Sequence, residues 1–128
     1  MLSMSFQVTV PAGPAAPATA RRALTRWLSL HTTNGLLADA RLIVSELVTN
    51  SMRHADPQDA ATVRVSAELA DDVLRIEVED GGTSGAVTRR APNRDAGGGF
   101  GLNIVDAVAV RWGVERGTGT LVWVELAC

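Results

Sequence analysis

The stretch Ala40-Arg-Leu-Ile-Val-Ser-Glu-Leu-Val-Thr-Asn-Ser-Met-Arg-His-Ala55 decides the fold of this chain. Ala40, Ile43, Val44, Leu47, Val48 and Ser51 recur at spacings of three and four. That rhythm makes one stripe of apolar or small side chains along an α-helix. At about 100° of rotation per residue, Glu46 and Asn50 fall beside the stripe, roughly 40° apart. Both then sit where the helix turns from core toward solvent, as the wall of a pocket beneath a sheet would. A carboxylate and a carboxamide one turn apart supply hard oxygen atoms, suited to Mg²⁺ or to orienting a water or hydroxyl. The same pair also suits the solvated face of an ordinary surface helix. Arg53 extends this face. His54 lies nearer the core edge, where a histidine is more often structural than catalytic.

The rest of the composition narrows the setting. With 128 residues, 46% of them hydrophobic, the chain has the length and apolar content for one domain, residues 1–128, with its own core. A formal net charge of −2 without a basic face argues against nucleic acid or an anionic membrane as a partner. The only cysteine is Cys128, which rules out a disulfide within the chain or a thiolate metal site and suits a reducing cytoplasm. No apolar run approaches the length of a bilayer span. Met1 to Val10 has neither the basic nor the long apolar region of a signal peptide.

Along the chain, Phe6 to Val10 alternates and predicts a strand, either a sheet edge or a dimer arm. Pro11 to Pro17 reads as a turn segment. Ala18 to Leu30 predicts a helix with Ala20, Leu24, Trp27 and Leu28 inward, Trp27 as a core anchor. His31 to Gly35 is a loop whose Thr32, Thr33 and Asn34 offer a cap for the central helix, expected from about Leu36 to Ala55. Asp56-Pro57 stops that helix. Ala61–Leu69 and Val73–Glu79 alternate on either side of Asp71-Asp72 and predict an antiparallel hairpin. Gly81 to Gly98 has no periodicity and reads as a mobile loop. A further helix is expected from Gly99 or Phe100, packing Leu102, Val105 and Ala109, with Ile104 as an additional candidate. Arg111–Glu115 and Thr120–Leu126 are the last strands, turned by Gly117-Thr-Gly119. This order predicts an α+β fold: a two-layer sandwich with helices on one face of a mixed, mostly antiparallel sheet.

Two further stretches can carry chemistry. Glu79-Asp-Gly-Gly-Thr-Ser-Gly85 puts Asp80 at a strand end beside glycines. A carboxylate there can accept from an exocyclic amine while the glycines let a flat ring approach the backbone. Read alone, Asp80-Gly81 is equally a plain turn. Gly97-Gly-Gly-Phe-Gly101 runs into a helical pattern, which presents N–H groups to an anion such as phosphate, or forms a simple hinge. It is not a P-loop, since the chain contains no lysine, and no strand directly precedes it as a dinucleotide fold requires.

The order of these stretches resembles that of the GHKL ATPase superfamily (gyrase, Hsp90, histidine kinase, MutL) with its Bergerat fold. It is most similar to the small single-domain serine/threonine kinases that act as bacterial anti-sigma factors. Glu46-Leu-Val-Thr-Asn50 with His54-Ala55 resembles the N box. Val78-Glu-Asp-Gly-Gly82 resembles the first glycine box, and Gly99-Phe-Gly-Leu102 with Ile104, Val105 and Ala107 the second. The tail from Arg111 to Leu126 is similar to the actinobacterial branch. The resemblance implies ATP and Mg²⁺ as cofactors. Asn50 would ligate the Mg²⁺ and Glu46 would be the general base. Asp80 would accept from the adenine amino group, and Gly82 would admit the base. Gly99, Gly101 and Leu102, with the helix they open, would hold the phosphates, and Thr120 would lie near the adenine. Gly81–Gly98 would be the ATP lid.

The chain departs from the family pattern where Ser84 stands in place of the last glycine of the first box. The resemblance implies a kinase that binds a sigma factor and phosphorylates a STAS-type anti-anti-sigma protein, commonly as a homodimer through the first strand and helix. The alternative is a regulatory module that binds nucleotide or a partner on the same fold without phosphorylating anything. A detached histidine-kinase catalytic domain is a third reading, and 128 residues leave no room for its phospho-acceptor helix pair.

Overall fold

A computed structural model describes residues 3–32, 34–54, 62–80, 103–117 and 119–128. In chain order these form β1 (Met4–Pro11), α1 (Ala16–Leu28), α2 (Asn34–His54), β2 (Thr62–Ala70), β3 (Val73–Asp80), α3 (Asn103–Val108), β4 (Arg111–Arg116) and β5 (Thr120–Ala127). The strands make one five-stranded sheet in the order β1-β2-β3-β5-β4. Every pairing is antiparallel, so the sheet is uniform where a mixed one was expected. The α+β class and the two-layer arrangement hold.

Alternation along the strands separates two faces. Val63, Val65, Ala67, Leu74, Ile76, Val78, Val122, Val124 and Leu126 are buried on one face. They meet the buried stripe of α2, which is Leu36, Ala40, Ile43, Val44, Leu47 and Val48. Ala16, Ala20, Leu24 and Leu28 of α1 join the same cluster. Val105 of α3 is also buried there, with Ile104, Val108 and Ala109 partly so. Trp27 is half-buried and stacks on Phe6 of β1 at 5.5 Å between ring centroids, the anchoring role its spacing predicts. β1 pairs with β2 from Met4↔Leu69 to Pro11↔Thr62 and is one of the two edge strands, β4 being the other.

Element boundaries moved for identifiable reasons. α1 starts at Ala16 and takes Pro17 into its first turn, where a missing N–H costs no helical hydrogen bond. It ends at Leu28, and the N–H groups of Leu30 and His31 turn back to Trp27 and Leu28 three residues earlier. Leu30 is left outside the helix and 77% exposed. α2 begins at Asn34, so Asn34 and Gly35 belong to its first turn and not to the loop. Between β2 and β3, Asp71 and Asp72 both take positive φ, 55° and 63°. Two such residues give the mirror-image turn whose twist matches paired strands, and aspartate tolerates it.

The opposite face of the sheet is held by charge. Glu125 on β5 accepts from Arg111 on β4 at 2.7 and 3.0 Å and from Arg75 on β3 at 3.1 Å. Arg75 also donates to Glu77 at 2.8 Å and lies 4.4 Å above the Trp123 ring. Trp123 lies over Gly113 on β4, where an added Cβ would stand 2.8 Å from the indole. Arg64 and Glu79 form a further ion pair on this face.

Arg111, with Arg75 beside it, holds the Glu125 carboxyl below the ordinary glutamate value of 4.5, against the opposite pull of burial. A depressed folded value stabilises the fold above the unfolded value and loses that contribution as pH falls through the folded one. Glu125→Gln is therefore expected to lower stability by about 1 kcal/mol at neutral pH. The gap from wild type should close below about pH 4, as read from urea midpoints across a pH series.

Candidate functional site

One end of the helix–sheet interface differs from the rest. Three polar residues are buried among the described ones: Asn50, Ser51 and Asp80. Asn50 and Ser51 stand on the penultimate turn of α2, and Asp80 is the last residue of β3. Two observations bring them to the same end. The strand register runs Val10, Val63, Asp80 across β1, β2 and β3, which places Asp80 level with the end of β1. Just beyond that strand, the Gly13 N–H points at the Met52 sulfur at 3.3 Å. The C-terminal turns of α2 therefore lie over the sheet end where Asp80 sits.

Asp80 is held from the next strand. The Thr120 backbone N–H donates to Asp80 Oδ1 at 3.1 Å, at the first residue of β5. Asp80 follows the inward alternation of Leu74, Ile76 and Val78, so its carboxylate belongs to the helix side. It is only 7% exposed. Thr120 is half-buried on the same face.

Asn50 is fully buried, not marginal as its angle from the stripe suggested. The α1, α3 and sheet contacts of α2 enclose more of its circumference than a one-sided stripe implies. Glu46, one turn earlier, stays half-buried as expected. A buried carboxamide and carboxylate are costly to desolvate, and such groups concentrate where a ligand or reaction uses them. Asn50 and Asp80 thus lie at the same end of the interface, with Thr120 beside Asp80 and Glu46 one turn back along α2. Gly82, Gly99, Gly101 and Leu102 lie outside the described residues, as do the expected lid and the His54 side chain.

Two residues at this end were not singled out from sequence. Ser51 was counted as a small member of the apolar stripe; its hydroxyl is buried and has no hydrogen-bond partner among the described residues. Arg116 pairs with Thr120 across the β4–β5 hairpin, two residues beyond the inward Val114. The predicted turn between the last two strands was the signal that could have pointed to it, since that hairpin sets Arg116 beside Thr120.

A sequence profile of the histidine kinase-like ATPase domain matches residues 10–126. The chain belongs to the histidine kinase-like ATPase family. Comparison with curated protein sequences finds no match. Among solved structures, the chain is similar to the crystal structure of the RsbU and RsbW domains of Rv1364c from Mycobacterium tuberculosis, with a TM-score of 0.75 and 24% identity. The match covers 97% of this chain and 32% of that one, so this chain spans about a third of that protein's length. The likeness establishes a shared fold.

If the Thr120 N–H depends on Asp80, Asp80→Ala should cost about 1–2 kcal/mol of stability, because a buried donor loses its acceptor. Asp80→Asn retains an oxygen for that N–H and should cost clearly less. Chemical denaturation of the two variants distinguishes these outcomes.

Proposed function

We propose that this ATPase-family domain binds ATP with Mg²⁺ and is a serine/threonine protein kinase acting as an anti-sigma factor. The observation that carries the nucleotide reading is the buried Asp80 carboxylate, fixed by the Thr120 N–H at the sheet end where Asn50 is also buried. An acceptor-only carboxylate fits the exocyclic amine of adenine. A carboxamide oxygen fits a hard cation, and Mg²⁺ prefers few protein ligands together with substrate phosphates. Among the described residues no group of three or more His, Cys, Asp or Glu side chains could hold a metal on its own.

In this reading bound ATP supplies the transferable phosphoryl group. Asp80 accepts from the adenine amine, Gly82 admits the base, and Thr120 keeps the carboxylate in place. Asn50 would ligate the Mg²⁺, which would offset phosphate charge. Gly99, Gly101 and Leu102 contact the phosphates. Glu46, half-buried on the same helix, would take the proton from the attacking hydroxyl as its oxygen bonds to the γ-phosphorus and the bond from that phosphorus to the departing ADP breaks. Catalysis of this kind depends on positioning and electrostatics, not on a covalent protein intermediate.

The protein partners follow from the motif resemblance: a sigma factor to bind and a STAS-type anti-anti-sigma protein to phosphorylate, in the cytoplasm. The structure with domains named RsbU and RsbW shares the fold and is compatible with that role. β1, as an edge strand carrying the Phe6–Trp27 stack, suits a homodimer contact. Ser84, in place of a glycine of the first box, favours the second reading, a nucleotide-binding regulatory module without kinase activity.

Calorimetry with ATP and ADP tests the site. Asn50→Ala should weaken binding about tenfold when Mg²⁺ is present and much less without it. Glu46→Ala should leave nucleotide binding intact and slow phosphorylation of a candidate antagonist by about 10²–10⁴. Wild-type protein that binds nucleotide but phosphorylates no antagonist would favour the regulatory module. Light scattering at micromolar concentration should give the dimer mass, and a monomer would remove the dimer from this reading.

A further inference from the structure

The inward row at the site end does not stop at Thr120. Glu79 pairs with Leu121, so Asp80 stands level with Thr120, and Thr120 pairs with Arg116. Trp112 and Val114 of β4 pack against the core, and the two-residue alternation puts Arg116 on that same face. Adjacent strands are about 4.8 Å apart, so the Asp80 and Arg116 backbones are about 10 Å apart, with β5 between them. An arginine is long enough to reach back over the intervening strand. Arg116 is half-buried, and its Nε is sealed from solvent.

The charges at this end sharpen the point. Glu46 and Asp80 bring negative charge to this end, and Arg116 brings a positive charge to it. A phosphorylated ligand seated on Asp80 would otherwise meet two negative groups. A guanidinium has five donors, no acceptor, and a planar fork that matches phosphate oxygens.

We propose that Arg116 is a specificity residue of this site, contacting the phosphate of an adenine nucleotide whose base is held at Asp80. The proposal rests on the nucleotide reading given above. Asp80 recognises the base, whatever it carries. Arg116 favours the phosphorylated form over the nucleoside.

The test compares adenosine, AMP and ADP by calorimetry without divalent cation, in wild type, Arg116→Gln, Arg116→Lys and Asp80→Asn. Arg116→Gln should weaken AMP and ADP about tenfold and leave adenosine within about twofold. Arg116→Lys keeps the charge without the fork and should recover part of the AMP affinity. Asp80→Asn should weaken all three ligands together. Should Arg116→Gln fail to fold, Arg116→Lys decides alone, with a loss of about threefold for AMP and none for adenosine. If Arg116 variants weaken adenosine and AMP equally, or weaken neither, while adenosine binding still depends on Asp80, the proposal is overturned and the nucleotide reading stands. Wild type that binds no adenine compound, or binds adenosine regardless of Asp80, overturns both.

Discussion

The structure depends on burying one stripe of one helix. α2 presents Leu36, Ala40, Ile43, Val44, Leu47 and Val48 to the sheet, and each is at most 7% exposed. Full burial of a Val, Leu or Ile side chain is worth about 1.5–3 kcal/mol before entropy is charged against it. Among the described residues no other helix buries as many apolar side chains. α1 packs alongside α2, and its Arg21 reaches Ser45 at 3.2 Å. Among the described residues α3 adds one buried side chain, Val105. Remove the stripe and the inner face of β2, β3 and β5 has nothing to rest on.

That constraint explains how a polar site can exist at the end of the same interface. Asn50 and Ser51 continue α2 beyond its last apolar turn, and Asp80 continues β3 beyond Val78. The apolar contact behind them fixes both elements, so the polar residues need not contribute to holding the layers together. Burying them costs free energy unless each finds a partner. For Asp80 that partner includes the Thr120 N–H, a group fixed by the sheet and unable to swing away. A side-chain donor would leave the carboxylate with rotamer freedom that a backbone donor does not.

The parts of this arrangement that local periodicity determines were legible in the sequence. The α2 stripe, the alternation of β2 and β3, and the placing of Glu46 and Asn50 on one helix needed only spacings along the chain. Asp80 was visible as a carboxylate at a strand end beside glycines. What could not be read was pairing between strands that no short turn joins. Nothing local says that β3 neighbours β5 and not β4, and so nothing local brings Thr120 to Asp80. The depth of Asn50 was underestimated for the same reason, because a helical angle reports the stripe and not the neighbours that close over its margin. Pro17 misled differently: proline breaks a helix interior but is welcome in its first turn.

The two faces of the sheet also divide the labour of stability. The outward face is tied by Arg75, Arg111 and Glu125 across β3, β5 and β4, with Trp123 lying over Gly113. Those ties join the same three strands that carry Asp80, Thr120 and Arg116 inward. Alternation puts Glu125 and Trp123 outward while Thr120, Val122 and Val124 point in, so one strand serves both purposes with different side chains. The register that aligns Asp80 with Thr120 is therefore set from behind as well as from within. A one-residue slip of β5 would turn its apolar residues outward and break the Glu125 contacts together. The site's geometry thus has two independent guarantors, and neither is a residue that a ligand would touch.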